Sequence, residues 1–181
     1  MSGRRTSFYF PPDAVAQLHA IQKRSRVDDI ADLIRAALAA YAVILELVES
    51  GTRIFVRDSD GASYPFSPYT KFSYPGFGGG DYIVDATQCG PASAKNFFFS
   101  GVAVKSLESI KKRCHSKNNA DAIKIALTAF AELLFIYDRL DDIVLIDRQG
   151  NEALFNPHNP ESRLPLPKCR TNAQIPPPTL G

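Results

Sequence analysis

The pattern of apolar and polar positions changes period twice within the first fifty residues. From Thr6, "TSFYF" alternates, with Phe8 and Phe10 on one side, as a short half-buried strand does. The period then lengthens: Val15, Leu18 and Ile21 recur at helical spacing, behind Pro11 and Pro12, which suit a first helical turn. A second helix is predicted from Asp29, with Asp32 three residues on at capping-box spacing, to about Glu49. Its apolar residues Ile34, Ala37, Leu38, Tyr41, Ile44, Leu45 and Val48 surround nearly the whole helix, so it must be buried on several sides. "RIFVRDSDGASYPFSP" follows as two strand-like runs about a turn at Gly61, a β-hairpin.

The whole pattern then recurs. An offset of 89 positions aligns residues 6 to 68 with 95 to 157 without a gap. Matched identities include Phe8/Phe97, Phe10/Phe99, Leu18/Leu107, Ile21/Ile110, Arg24/Arg113, Ala37/Ala126, Asp58/Asp147, Gly61/Gly150 and Phe66/Phe155, mostly core and turn types. Copy two is therefore a strand, a helix with Val104, Leu107 and Ile110, a core helix from Asn118 to about Asp138, and a hairpin turning at Gly150. The organisation predicted is α+β: residues 1–68 as repeat one with its hairpin, 69–94 as a Gly/Pro/Tyr-rich linker, and 95–157 as repeat two with its hairpin. Residues 158–181 form a Pro-rich tail without the periodicity to fold alone, read as disordered.

Composition narrows the function classes. The 181 residues are 45% hydrophobic, ample for a core, and the formal charge of +2 neither demands nor opposes a polyanion partner. Cys89, Cys114 and Cys169 are odd in number and widely spaced, which indicates neither a disulfide framework nor a zinc site. No apolar stretch follows the N-terminal arginines as in a secretory signal, and the longest uncharged apolar run, Ala36 to Leu45, is too short for a membrane span. A cytoplasmic protein is expected. His19, His115 and His158 have no partner at metal spacing, and Asp138, Asp141 and Asp142 read as a solvated turn. "GFGGGD" lacks the Lys-Ser/Thr of a P-loop and reads as linker. Lys23, Arg24, Arg26, Lys111, Lys112 and Arg113 end the first helices, where cations complement the dipole. These features predict no enzyme, no cofactor and no metal.

The units "SFYFPPDAVAQLHAIQKRSRVDDIADLIRAAL" and "NFFFSGVAVKSLESIKKRCHSKNNADAIKIAL" resemble the ribbon-helix-helix family of DNA-binding proteins, the Arc and methionine repressor class. The resemblance spans about 45 residues in each copy and leaves out hairpins, linker and tail. It implies that the two copies form an intramolecular pseudo-dimer whose strands pair as a two-stranded antiparallel ribbon. A lone strand keeps unpaired edges, and a helix apolar all round needs a second layer. A 26-residue connection, with a coil span of roughly 28 Å, lets copy two fold back onto copy one.

The resemblance further implies a transcriptional regulator or plasmid-type accessory factor that inserts the ribbon into the major groove of double-stranded DNA. Carried over by position, the base-contact candidates are Arg5, Ser7 and Tyr9 in copy one and Asn96 and Phe98, beside Ala94, in copy two. If the twofold passes between Ser7 and Asn96, Arg5 lies opposite Phe98 and Tyr9 opposite Ala94. Phosphate-contact candidates are Arg4 and Lys95 on the strands, with Lys117, Asn118 and Asn119 at the start of the second core helix. Copy one carries Asp28, Asp29 and Asp32 there, so lopsided binding is expected. The alternative is a protein-interaction module of the same fold with weak or no DNA binding, engaging a partner such as a toxin, as an antitoxin does, through the Pro-rich tail or hairpins, or assembling with further copies of itself.

Overall fold

The structure, a computed structural model, describes residues 4–10, 12–68, 93–99 and 101–165, with side chains at 15, 17–68 and 104–162. The linker and most of the tail lie outside it. The described elements run β1 (Arg4–Phe10), α1 (Pro12–Ser25), α2 (Ile30–Glu49), β2 (Arg53–Arg57) and β3 (Ser63–Phe66), then β4 (Ser93–Phe99), α3 (Gly101–Arg113), α4 (Asn119–Asp138), β5 (Asp142–Ile146), β6 (Glu152–Phe155) and β7 (Arg163–Pro165).

Local chemistry sets these boundaries. Pro12 opens α1, where its missing N–H costs nothing. Asp29 and Asn118 cap α2 and α4, each accepting from the amide three residues on, Asp32 at 2.7 Å and Asp121 at 2.9 Å. Both core helices end in the same Schellman pattern: Gly51 N and Thr52 N donate to Val48 and Leu47 carbonyls, as Leu140 N and Asp141 N donate to Tyr137 and Ile136. In the hairpin turns, Asp58 Oδ1 accepts from Asp60 N and Ala62 N, and Asp147 Oδ1 from Gln149 N and Asn151 N.

The strands form two antiparallel sheets, β1 with β4, and a five-stranded sheet in the order β3-β2-β5-β6-β7. The sequence predicts each hairpin; that β2 and β5 join them into one sheet is a property of the folded molecule. In both sheets the register is centred on residues 89 apart, Ser7 opposite Asn96 and Phe55 opposite Val144. Each sheet is therefore paired about a local twofold at matched residues.

The core lies between them. One cluster joins all four helices around Leu33, Ile34, Ala37, Tyr41, Ile110, Ala126, Phe130 and Leu134, and a second packs the ends of α2 and α4 on Ile54, Val56, Ile143 and Leu145 of the larger sheet. Two ion pairs follow the same 89-residue offset. Arg113 Nε and Nη2 grip the Glu49 carboxylate at 2.6 and 2.8 Å, and the matched Arg24 faces Asp138 at 3.8 Å. Of the cations ending α1 and α3, Arg24 and Arg113 thus pair one repeat with the other, while Lys111 pairs with Glu108 of its own helix.

Three expectations change. Arg163–Pro165, inside the segment read as a disordered tail, pairs with β6 as β7. Ser93 and Ala94, read as linker, belong to β4. Asp141, read as solvated, is buried beside Arg139 Nε at 3.4 Å, because the Schellman turn tucks its backbone under Ile136.

One turn breaks the symmetry. Gly51 has φ +87, while its counterpart Leu140 holds φ +63 with 89% of its surface exposed. A left-handed leucine costs about 1–2 kcal/mol, only partly offset by the chain entropy a glycine would lose. Leu140→Gly is expected to stabilise the fold by about 0.5–1 kcal/mol, read as a thermal midpoint raised by about 1–4 °C.

Candidate nucleic-acid interface

The register of β1 and β4 sorts their residues into two faces, because successive strand residues point to opposite sides. One face holds Arg5, Ser7 and Tyr9, opposite Phe98, Asn96 and Ala94 respectively. All five base-contact candidates therefore share a face, in the pairing that an axis between Ser7 and Asn96 requires. Arg4 and Lys95 fall on the other face with Phe8, Phe10, Phe97 and Phe99. The side chains of these strand residues lie outside the described part. Neither strand contains an acidic residue, whereas the larger sheet and its turns carry Asp58, Asp60, Asp142, Asp147 and Glu152 among their cations.

The start of α4 is polar and cationic. Lys117 and Lys124 are exposed, and with Cys114, His115, Ser116, Asp121 and Ile125 they line a shallow open depression. The candidate Asn118 is committed to the cap: Oδ1 accepts from Asp121 N, and Nδ2 donates to Asp121 Oδ2 at 3.0 Å. What the turn offers an anion is the amides of Asn119 and Ala120, which precede the first helical bond, Ala122 N to Asn118 O, with Lys117 beside them. The start of α2 is different. Asp28 and Asp29 are exposed, Asp32 is ion-paired to Arg35, and Gln22 Nε2 donates to the Asp28 carbonyl at 2.7 Å, pinning the turn. The αL residue entering each turn is matched, Arg26 at φ 57 and His115 at φ 52, so the backbones agree where the charges do not.

Sequence reasoning missed the two interrepeat ion pairs. The signal was present, since both repeats end their core helix in an acid, Glu49 and Asp138, and both carry the matched arginine. Their electrostatics is local. The hydrogen bond from Arg113 holds the Glu49 carboxyl below its ordinary value, against a smaller opposing effect of desolvation. A lowered folded value means that the pair stabilises above the unfolded carboxylate pKa and ceases to do so as pH falls through the folded one. Glu49→Gln is expected to lower the urea midpoint at pH 7, and the gap from the parent should narrow as pH falls below the ordinary carboxylate range and close once the folded carboxyl is protonated. In the β5–β6 turn, Asn151 hydrogen bonds likewise lower Asp147. Desolvation, aided by Asp58, raises the Tyr64 hydroxyl.

His19 contacts Gln22 Oε1 at 3.2 Å, and His158 stacks edge-on to Tyr137 at 5.2 Å. Among the described residues, no three His, Cys, Asp or Glu side chains cluster as metal ligands would, and no helix is long and apolar enough to cross a membrane. No family model, no curated protein and no solved structure matches this chain.

Proposed function

We propose that this chain is a non-enzymatic, cytoplasmic DNA-binding protein of the ribbon-helix-helix kind, a single-chain pseudo-dimer that lays β1 and β4 into the major groove. The observation that carries the reading is the antiparallel pairing of β1 with β4 centred on Ser7 and Asn96, which brings the strands of both repeats into one ribbon. Two seven-residue strands make a ribbon about 24 Å long, its backbones about 4.8 Å apart, within the roughly 12 Å width of the groove. The face opposite the phenylalanines bears Arg5 and no acid, Arg4 and Lys95 lying on the phenylalanine face, while the acidic residues of the larger sheet sit on another element. In this reading the phenylalanine face packs on the helices and the face with Arg5, Ser7, Tyr9, Asn96 and Phe98 meets the bases. Arg5 suits the bidentate contact to guanine, and Asn96 suits adenine. The role is that of a transcriptional regulator or plasmid accessory factor.

The test is titration of the full chain onto random-sequence duplex at two salt concentrations. Binding should weaken steeply with salt, since each phosphate neutralised adds about 0.9 to the log–log slope. Arg5→Ala with Asn96→Ala should abolish specific binding. No binding at low salt would overturn the reading and leave the protein-interaction module as the alternative.

A further inference from the structure

We propose that the DNA this protein takes is a non-palindromic duplex, bound in one fixed orientation; the inference rests on the ribbon reading above. The frame is close to twofold: both sheets are registered about residues 89 apart, and the ion pairs Arg113–Glu49 and Arg24–Asp138 are related by the same offset. The turns before the core helices share even their left-handed residues, Arg26 and His115. At the ribbon and at the turns before the core helices the two halves thus agree in register and backbone conformation, and what separates the half-sites there is side-chain chemistry.

That chemistry differs at each level of the interface. One end of the ribbon face presents Arg5 opposite Phe98 and the other presents Tyr9 opposite Ala94, with Ser7 and Asn96 unlike each other at the centre. An arginine at one end alone can fix a guanine through O6 and N7 in one half-site, while the opposite end offers an aromatic ring beside an alanine, which suits a thymine methyl. Beyond the ribbon, exposed Lys117 and Lys124 flank the start of α4, whereas exposed Asp28 and Asp29 flank the start of α2, and Arg35 there is taken up by Asp32. One flank attracts a phosphate and the other repels it. A homodimer, with identical halves, reads the two strands of a palindrome alike. This chain gives the two half-sites different donors and opposite charge, so the duplex energy depends on which way round it lies.

Selection of bound duplexes from a random library by the full chain is the test. The expected motif lacks inversion symmetry and has a defined guanine in one half only. In Arg5→Ala that guanine disappears while the other half of the motif persists. Phosphate variants should move in opposite directions: Lys117→Ala weakens binding about two- to fivefold and Asp28→Asn tightens it by about the same factor. A motif equal to its reverse complement overturns this inference and leaves the DNA reading standing, as does salt-sensitive binding with no enriched motif. Absence of any bound duplex overturns the DNA reading, and the inference with it.

Discussion

Phe130→Ala is expected to cost about 3–5 kcal/mol, as truncation of a fully buried aromatic does. Phe130 is only 2% exposed, at the middle of α4, in the cluster where all four helices meet. Its counterpart on α2 is Tyr41, equally buried, whose hydroxyl donates to the Pro68 carbonyl at 3.1 Å. Around them Ala37, Ala40 and Ala126 are fully buried small residues, so the two helices approach closely and little nearby material can slide into the void. Domains of this kind retain about 5–15 kcal/mol in total, so the variant should lose a large fraction of its stability. Because the cluster belongs to both repeats, urea denaturation followed by helix signal and by tyrosine fluorescence should show one shared transition at a lower midpoint. Two separated transitions, or a loss below about 1 kcal/mol, would mean that the repeats fold as independent bodies. Tyr41→Phe should cost only about 1 kcal/mol, the net worth of one hydrogen bond, since the ring stays in place.

Much of this architecture was legible because the chain states it twice. The ends of α2 and α4 at Glu49 and Asp138, the caps at Asp29 and Asn118, and the turns at Gly61 and Gly150 all follow from local chemistry, which an offset of 89 residues exposes by repetition. The pairing of Ser7 with Asn96 was also legible, since strand alternation and a twofold leave few registers. What escaped depends on distant residues meeting. Nothing local in "RIFVR" or "DIVLI" says that these strands pair with each other, and Asp141 is buried only because a Schellman turn draws it under Ile136. The charges at the helix starts were legible as residues, yet the committed state of Asn118 and Arg35 appears only once their partners are placed. Function follows the same division. The shared residues build the frame, and under the proposed function Arg5, Tyr9, Ala94, Phe98, Asp28 and Lys117, where the copies disagree, are the residues the binding tests must separate.

The fifth strand of the larger sheet shows how one disagreement reshapes a fold, and Leu154→Pro is expected to release it. In the hairpins, Asp58 N bonds Ala62 O and Asp147 N bonds Asn151 O, which sets the alternation along each ladder. Counting from there, Pro65 on β3 and Leu154 on β6, matched positions, both turn their backbone groups away from the hairpin partner. Leu154 has an N–H to offer outward, and β7 takes it, with Leu164 directly opposite. Pro65 has none, so β3 closes its edge where β6 opens one. Pro165, on the outer side of β7, closes the other edge by the same means. A proline at 154 fits a backbone already seen with proline at 65, and the β5–β6 bonds through Ala153 and Phe155 are untouched. The Leu164 amide should lose its protection in hydrogen exchange while amides of β2 and β5 keep theirs. Unchanged protection at Leu164 would refute the edge argument. Pro65→Leu is the reciprocal change: it should open β3 to pairing, seen as concentration-dependent association in sedimentation, because an unpaired strand with its N–H restored is a template for another chain.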